Sequence, residues 1–209
     1  MVDSDFPGFN VARMVSLGWL FVLIAGCDSP PTVMVKTEQL ARHRRIAVFP
    51  FTDAPGADAG HSGKVVANIV TSYALGVEGW TLVERGRIAR IVNEQDLQAT
   101  DLVNRETAVK VGKLLGADGV IVGAVAQYRI GSIPFLFLFT WDQDVYKVDY
   151  SFRLISVETS EVSLSAHASR SSTASFEQAI SDGASKIFER VEIALRSASN
   201  KRQPVQNRE

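Results

Sequence analysis

One thiol, three imidazoles and one lysine in a glycine-bearing loop are the side chains whose chemistry the sequence most invites. Cys27 is the only cysteine among 209 residues, so it has no internal disulfide partner and no second thiolate with which to hold zinc. It stands after LFVLIAG and before Asp28, Ser29 and Pro30, where an apolar run gives way at once to polar residues. His43, His61 and His167 are scattered, without the HExxH spacing of a metal site. Lys64, in AGHSGKV, lies where a phosphate-binding loop would lie, but Asp58 fills the position of its first glycine. Val65, after the lysine, brings no hydroxyl for magnesium. Ser62 lacks the flanking glycines of a nucleophile elbow, and LLGADG does not make GxGxxG. No catalytic residue, metal site or cofactor is expected, and Cys27 is left to be explained.

The apolar run from Met14 to Gly26 has 13 residues, whereas a helix crossing a bilayer needs about 20. Its length suits the apolar middle of a secretory signal, preceded by Arg13 and closed by the small pair Ala25 and Gly26. The tetrapeptide Ile24, Ala25, Gly26, Cys27 resembles the lipobox of bacterial lipoprotein precursors. That resemblance implies that the Cys27 thiol carries a diacylglycerol, that residues 1–26 are a signal peptide cut just before it, and that the protein is anchored to membrane lipid. Several acyl chains on one residue give lasting attachment, since each buried methylene contributes about 0.8 kcal/mol. Asp3 and Asp5 depart from the basic start usual in such signals. The expected location is the cell envelope, facing the periplasm. The outer membrane is favoured, and Asp28 keeps the inner membrane open because it resembles a retention signal.

The elements that must position these residues follow from patterning. With 46% hydrophobic and 22% charged residues and a net charge of −1, the chain can bury one core and offers no field for nucleic acid. Residues 27–45, with Pro30, Pro31 and the basic cluster Arg42, His43, Arg44 and Arg45, read as a tether. The folded part, expected over 46–197, opens with a strand, IAVFPF, and then a helix from Ser62, as cap, to Leu75 with Val66, Ile69, Val70 and Tyr73 on one face. A short strand at Trp80–Val83 precedes a helix carrying Ile88, Ile91 and Val92. Asn104 caps another helix, closed by Gly116, and GVIVGAVAQY is a central strand. Strand, helix, strand implies a right-handed crossover with parallel pairing. Lys147–Val157 and Val162–Ala168 read as an antiparallel pair, Phe176–Leu195 as the last helix, and 198–209 as a disordered tail. The fold class is a mixed α/β single domain, with element order β-α-β-α-α-β-β-β-α.

In that order IAVFPFTD, GKVVANIVTSYAL, WTLVERGRIARIVNEQ, ETAVKVGKLLGADGVIVGAV and FRLISVETSEV resemble the CsgG-like lipoproteins, the group that includes the curli secretion channel, over most of residues 46–195. The resemblance implies a fold like an anticodon-binding domain, with action through protein contacts rather than catalysis. It implies envelope proteins of secretion or cell-wall assembly as partners, and a homo-oligomer as one possible state. The alternative is a membrane-anchored activator of a peptidoglycan synthase, of the LpoB type. Two departures argue against a complete pore. Four membrane-crossing strands of about 9–11 residues need on the order of 40 residues, and the slots here are Arg129–Val145 and the short stretch between Ala168 and Phe176. The loop Thr52–Ser62, which matches the channel's constriction loop, has no aromatic and no amide side chain. Within the first slot, IPFLFLFTW puts Phe135, Phe137 and Phe139 on one side of an extended strand and Leu136 and Leu138 on the other. Such a segment is either buried on both faces or, with Trp141, a contact surface for a partner or for lipid.

Overall fold

The computed structural model describes residues 29–56, 60–134 and 142–202. Six strands form one mixed sheet: β1 (Thr32–Val35), β2 (Arg45–Val48), β3 (Thr81–Leu82), β4 (Gly119–Pro134), β5 (Asp142–Ser156) and β6 (Val162–Ser172). Their spatial order is β1-β6-β5-β4-β2-β3, with β2 parallel to both β3 and β4 and every other pairing antiparallel. The helices are α1 (Thr37–Leu40), α2 (Ser62–Leu75), α3 (Arg85–Glu94), α4 (Ala99–Leu102), α5 (Arg105–Leu115) and α6 (Phe176–Arg202).

The connections explain the layers. From β2 the chain crosses by α2 to β3 on one side, then returns by α3, α4 and α5 to β4 on the other. Right-handed crossovers that travel in opposite directions place their helices on opposite faces of a sheet. Accordingly Val66, Val70 and Ala74 of α2 pack with Ile46, Val48, Ile121 and Leu154 in one core, which also takes Ile180, Ile187 and Val191 of α6. Ile88, Val92, Val109 and Leu115 pack with Ala47, Phe49, Val120, Val122 and Ile155 in the other. A strand buried on both sides must be apolar at every position, which is why IAVF shows no alternation.

Local chemistry sets the ends of the elements. The Asn104 side chain accepts from the Glu106 and Thr107 amides at 2.9 and 3.4 Å, and Gly116 closes α5 at φ 65°, a conformation that disfavours a Cβ. At α2 the expected cap is displaced. Ser62 lies inside the first turn, its hydroxyl accepting from the Ala54 amide at 2.9 Å, while the Asp53 carboxylate accepts from the Gly63 amide at 2.7 Å. A Cβ on Gly63 would stand 2.1 Å from the Phe51 carbonyl oxygen, so the loop can pass over the helix only there.

Three expectations need correcting. The stretch expected as a tether is structured from Thr32. β1 pairs antiparallel with β6, from Thr32 opposite His167 to Val35 opposite Leu164, the Lys36 amide donates to the Ser163 carbonyl at 2.9 Å, and Leu40 is fully buried. Val33 and Val35 are half-buried against the core while Thr32 and Met34 face solvent, the alternation of an edge strand. The final helix continues to Arg202, with Ala198 buried, rather than fraying from 198. Lastly, an additional short helix, α4, stands before α5, closed by a reciprocal pair of hydrogen bonds between Gln98 and Asp101.

Candidate functional site

Cys27, Phe135, Phe137, Phe139 and Trp141 lie outside the described residues. What can be read is the frame that delivers them. Beyond a bulge between Val125 and Gln127, β4 and β5 run on as a hairpin paired from Arg129 opposite Lys147 to Pro134 opposite Asp142. The segment read as an insertion is thus, over its described part, a continuation of two central strands. Its arms are polar and open: Arg129, Ser132, Gln143 and Asp144 are exposed, as is Ile130 at 56%. An aromatic cluster fixes its base. The Tyr128 ring stacks on Phe176 at 3.8 Å between centroids, and Tyr146 meets Phe176 edge-on at 5.0 Å. Tyr128 loses hydration there and faces Glu177, and both effects raise its pKa above the ordinary value, so the phenol is harder to ionise. Further in, the Tyr150 hydroxyl donates to the Ile180 carbonyl at 2.9 Å, and burial pushes its pKa far up, so it stays protonated.

The residues considered for catalysis are placed elsewhere. Lys64 is exposed in the first turn of α2, and the amide that a bound phosphate would require is already taken by Asp53. His43 is buried, its Nε2 2.8 Å from Ser163 Oγ and its Nδ1 3.9 Å from Asp118. In outline this is serine, histidine and aspartate, but Ser163 is 1% exposed and no substrate can approach it. The Asp118 carboxylate is held by the Arg44 and Arg45 amides at 2.9–3.1 Å. The array ties the start of β2 to β6. Burial lowers the His43 pKa below its usual value, against the opposing influence of Asp118. His167 pairs with Asp149 at 2.9 Å on the surface, and among the described residues no group of three or more His, Cys, Asp or Glu can hold a metal ion. An open groove of about 610 Å³ lies between Trp80 and the last turns of α6, but Arg44 and Arg196 are balanced there by Glu78 and Glu192. Among the described residues no helix is long and apolar enough to cross a membrane.

One buried charge escaped sequence reasoning. Arg170 is 3% exposed, and its Nη1 donates to the Ser29 carbonyl at 2.6 Å. Its Nε and Nη2 have no partner among the described residues. The signal was present in AHASR, where Ala166 and Ala168 alternate with the exposed His167 and Ser169 and so put Arg170 on the core side.

The chain matches no curated protein sequence. Among solved structures it is similar to a PelC dodecamer from Paraburkholderia phytofirmans, at 15% identity and TM-score 0.53, covering 78% of this chain and 98% of that one. It is also similar to lipoprotein GNA1162 from Neisseria meningitidis, at 18% identity and TM-score 0.50, covering 70% and 96%. A fainter likeness, to the LpoB C-terminal domain from Salmonella enterica, has 13% identity and TM-score 0.37 over 65% and 94%. At these identities the PelC and GNA1162 structures establish a shared fold and nothing more. The model of the family "Curli production assembly/transport component CsgG" matches residues 31–207, and the chain belongs to that family.

Proposed function

We propose that this protein is a lipid-anchored, non-catalytic subunit of a cell-envelope assembly serving export or the building of a surface structure, and not itself a complete pore. Cys27 is its acyl attachment point, and Phe135, Phe137, Phe139 and Trp141 at the end of the β4–β5 hairpin are its contact surface. The observation that carries this reading is one of register. Because Thr32 faces His167, the chain upstream of Thr32 continues toward the Ser172 end of β6, the end that pairs with Tyr146 and Lys147 at the hairpin base. Cys27, five residues before Thr32, is within about 17 Å of it at strand spacing. The described chain at Ser29 and the base of the hairpin thus lie toward the same end of the sheet, which supports a reading in which one bilayer or partner engages both anchor and hairpin. Family membership supports an assembly role. The dodecameric state of the PelC structure makes self-association part of the same proposal, with the outer membrane as the favoured location.

Mass spectrometry of protein from its native host is expected to find Cys27 acylated and the first 26 residues gone; a free thiol with the leader retained overturns the anchor. Phe137→Asp and Trp141→Asp are expected to leave the fold intact, by thermal unfolding, and to abolish recovery of crosslinked partners or reduce membrane association. No change in either overturns the contact surface. A peptidoglycan synthase in the crosslinks, in place of secretion components, would replace the export role with that of a synthase activator.

A further inference from the structure

On one face of the sheet a positioned cation stands without an anion. The core beneath α3 and α5 takes Val120, Val122 and Ile155. Beyond it the same face carries Ser151 and Arg153 of β5 with Ser165 and His167 of β6, and the two serines and the histidine are exposed. Ser165 stands directly opposite Arg153, and Ser151 lies two residues along the strand on the same side. The Arg153 side chain is half-buried and fixed, its Nη2 donating to the Val103 carbonyl between α4 and α5 at 2.8 Å. A single hydrogen serves that bond, so one of the two paired-donor edges of the guanidinium stays available. None of the described ion pairs includes Arg153. Asp149, the acid on this face of β5, is 2.9 Å from His167, and Asp101, two residues before Val103, accepts from the Gln98 amide at 2.8 Å. Neither serine hydroxyl bonds a described group.

We infer that this recess is a binding site for the oxyanion of a small molecule, a phosphate or a carboxylate: the free edge of Arg153 takes two of its oxygens, and Ser151 and Ser165 donate their hydroxyl hydrogens to it. The recess measures about 320 Å³, at the small end of the range for ligand pockets, roughly 300–1,000 Å³. Val122 and Ala124 give it an apolar floor. Because Val103 holds Arg153 before any ligand arrives, the guanidinium loses little side-chain freedom on binding. The inference does not depend on the anchor or on the hairpin contact, since none of its residues belongs to either.

The test is an NMR titration of the full-length protein in detergent with sodium phosphate, with sodium acetate, and with sodium chloride at matched ionic strength. Phosphate or acetate is expected to move the Ser151, Arg153 and Ser165 amide signals saturably within about 50 mM, as a millimolar site requires, and chloride to leave them in place. A response to phosphate alone assigns a phosphate ligand, one to acetate alone a carboxylate, and equal responses make the shared oxyanion the recognised feature. No saturable shift with either, or the same shift with chloride, would overturn the site. Ser151→Ala is expected to weaken binding about fivefold, and Arg153→Gln about tenfold or more. Ser165→Asp sets a carboxylate opposite Arg153 without touching the bond to Val103, and is expected to abolish the response; a response that survives it counts against the site. Should Arg153→Gln lower the thermal unfolding temperature by loosening the turn at Val103, Ser165→Asp decides alone.

Discussion

Asp53 and Asn104 do the same work at two helix starts, and only one of them is visible in the sequence. Asn104 caps amides two and three residues on, so its position before a periodic apolar run announces it. Asp53 reaches Gly63 across a ten-residue loop, and no local pattern could single it out over Ser62. Removing the Asn104 cap, as Asn104→Ala, is expected to cost about 1 kcal/mol in urea unfolding. Gly63→Ala is expected to cost more, on the order of 3 kcal/mol, because the new methyl meets a main-chain oxygen that cannot turn aside. A loss from Gly63→Ala no larger than from Asn104→Ala would show that the Phe51 backbone can give way.

Elements whose faces are buried on one side only, such as α2 and α6, were legible from spacing, and so was the parallel start of the sheet. β1 was not, since only Val33 and Val35 of its four residues face the core, and Pro30, Pro31 and the following basic cluster give the surroundings a linker's composition. Its partner in β6 lies more than 120 residues away, so pairing, not propensity, makes it a strand. At the same scale, the hairpin is held at its base by Phe176. Phe176→Ala is expected to cost about 1–2 kcal/mol, less than a fully buried phenylalanine would. It should speed hydrogen exchange in Arg129–Ser132 and Gln143–Tyr146 while leaving β2 and α2 protected. Uniform loss of protection throughout the domain would mean that the hairpin and the body open as one unit.

For the whole molecule, the sequence conveyed the fold class and the family resemblance, whereas the buried polar links between distant segments appeared only in three dimensions. His43 is one such link, and it makes stability depend on pH. Its folded pKa lies below the unfolded value of about 6.5, so on acidification the unfolded chain takes up the proton first. The stabilisation is therefore complete above that value and is lost as pH falls from about 6.5 toward the folded pKa. The melting temperature is expected to drop between pH 7.5 and pH 5.5, and His43→Gln to flatten the profile in that window; an unaltered slope in the variant would assign the effect to other groups. The lengths of the strands have a different, colloidal consequence. The sheet is long in the middle, at 16 and 15 residues in β4 and β5, and ends in flanks of four and two in β1 and β3. Stubs of that size offer a stray chain few main-chain groups to zip onto, which discourages runaway polymerisation where copies are crowded together.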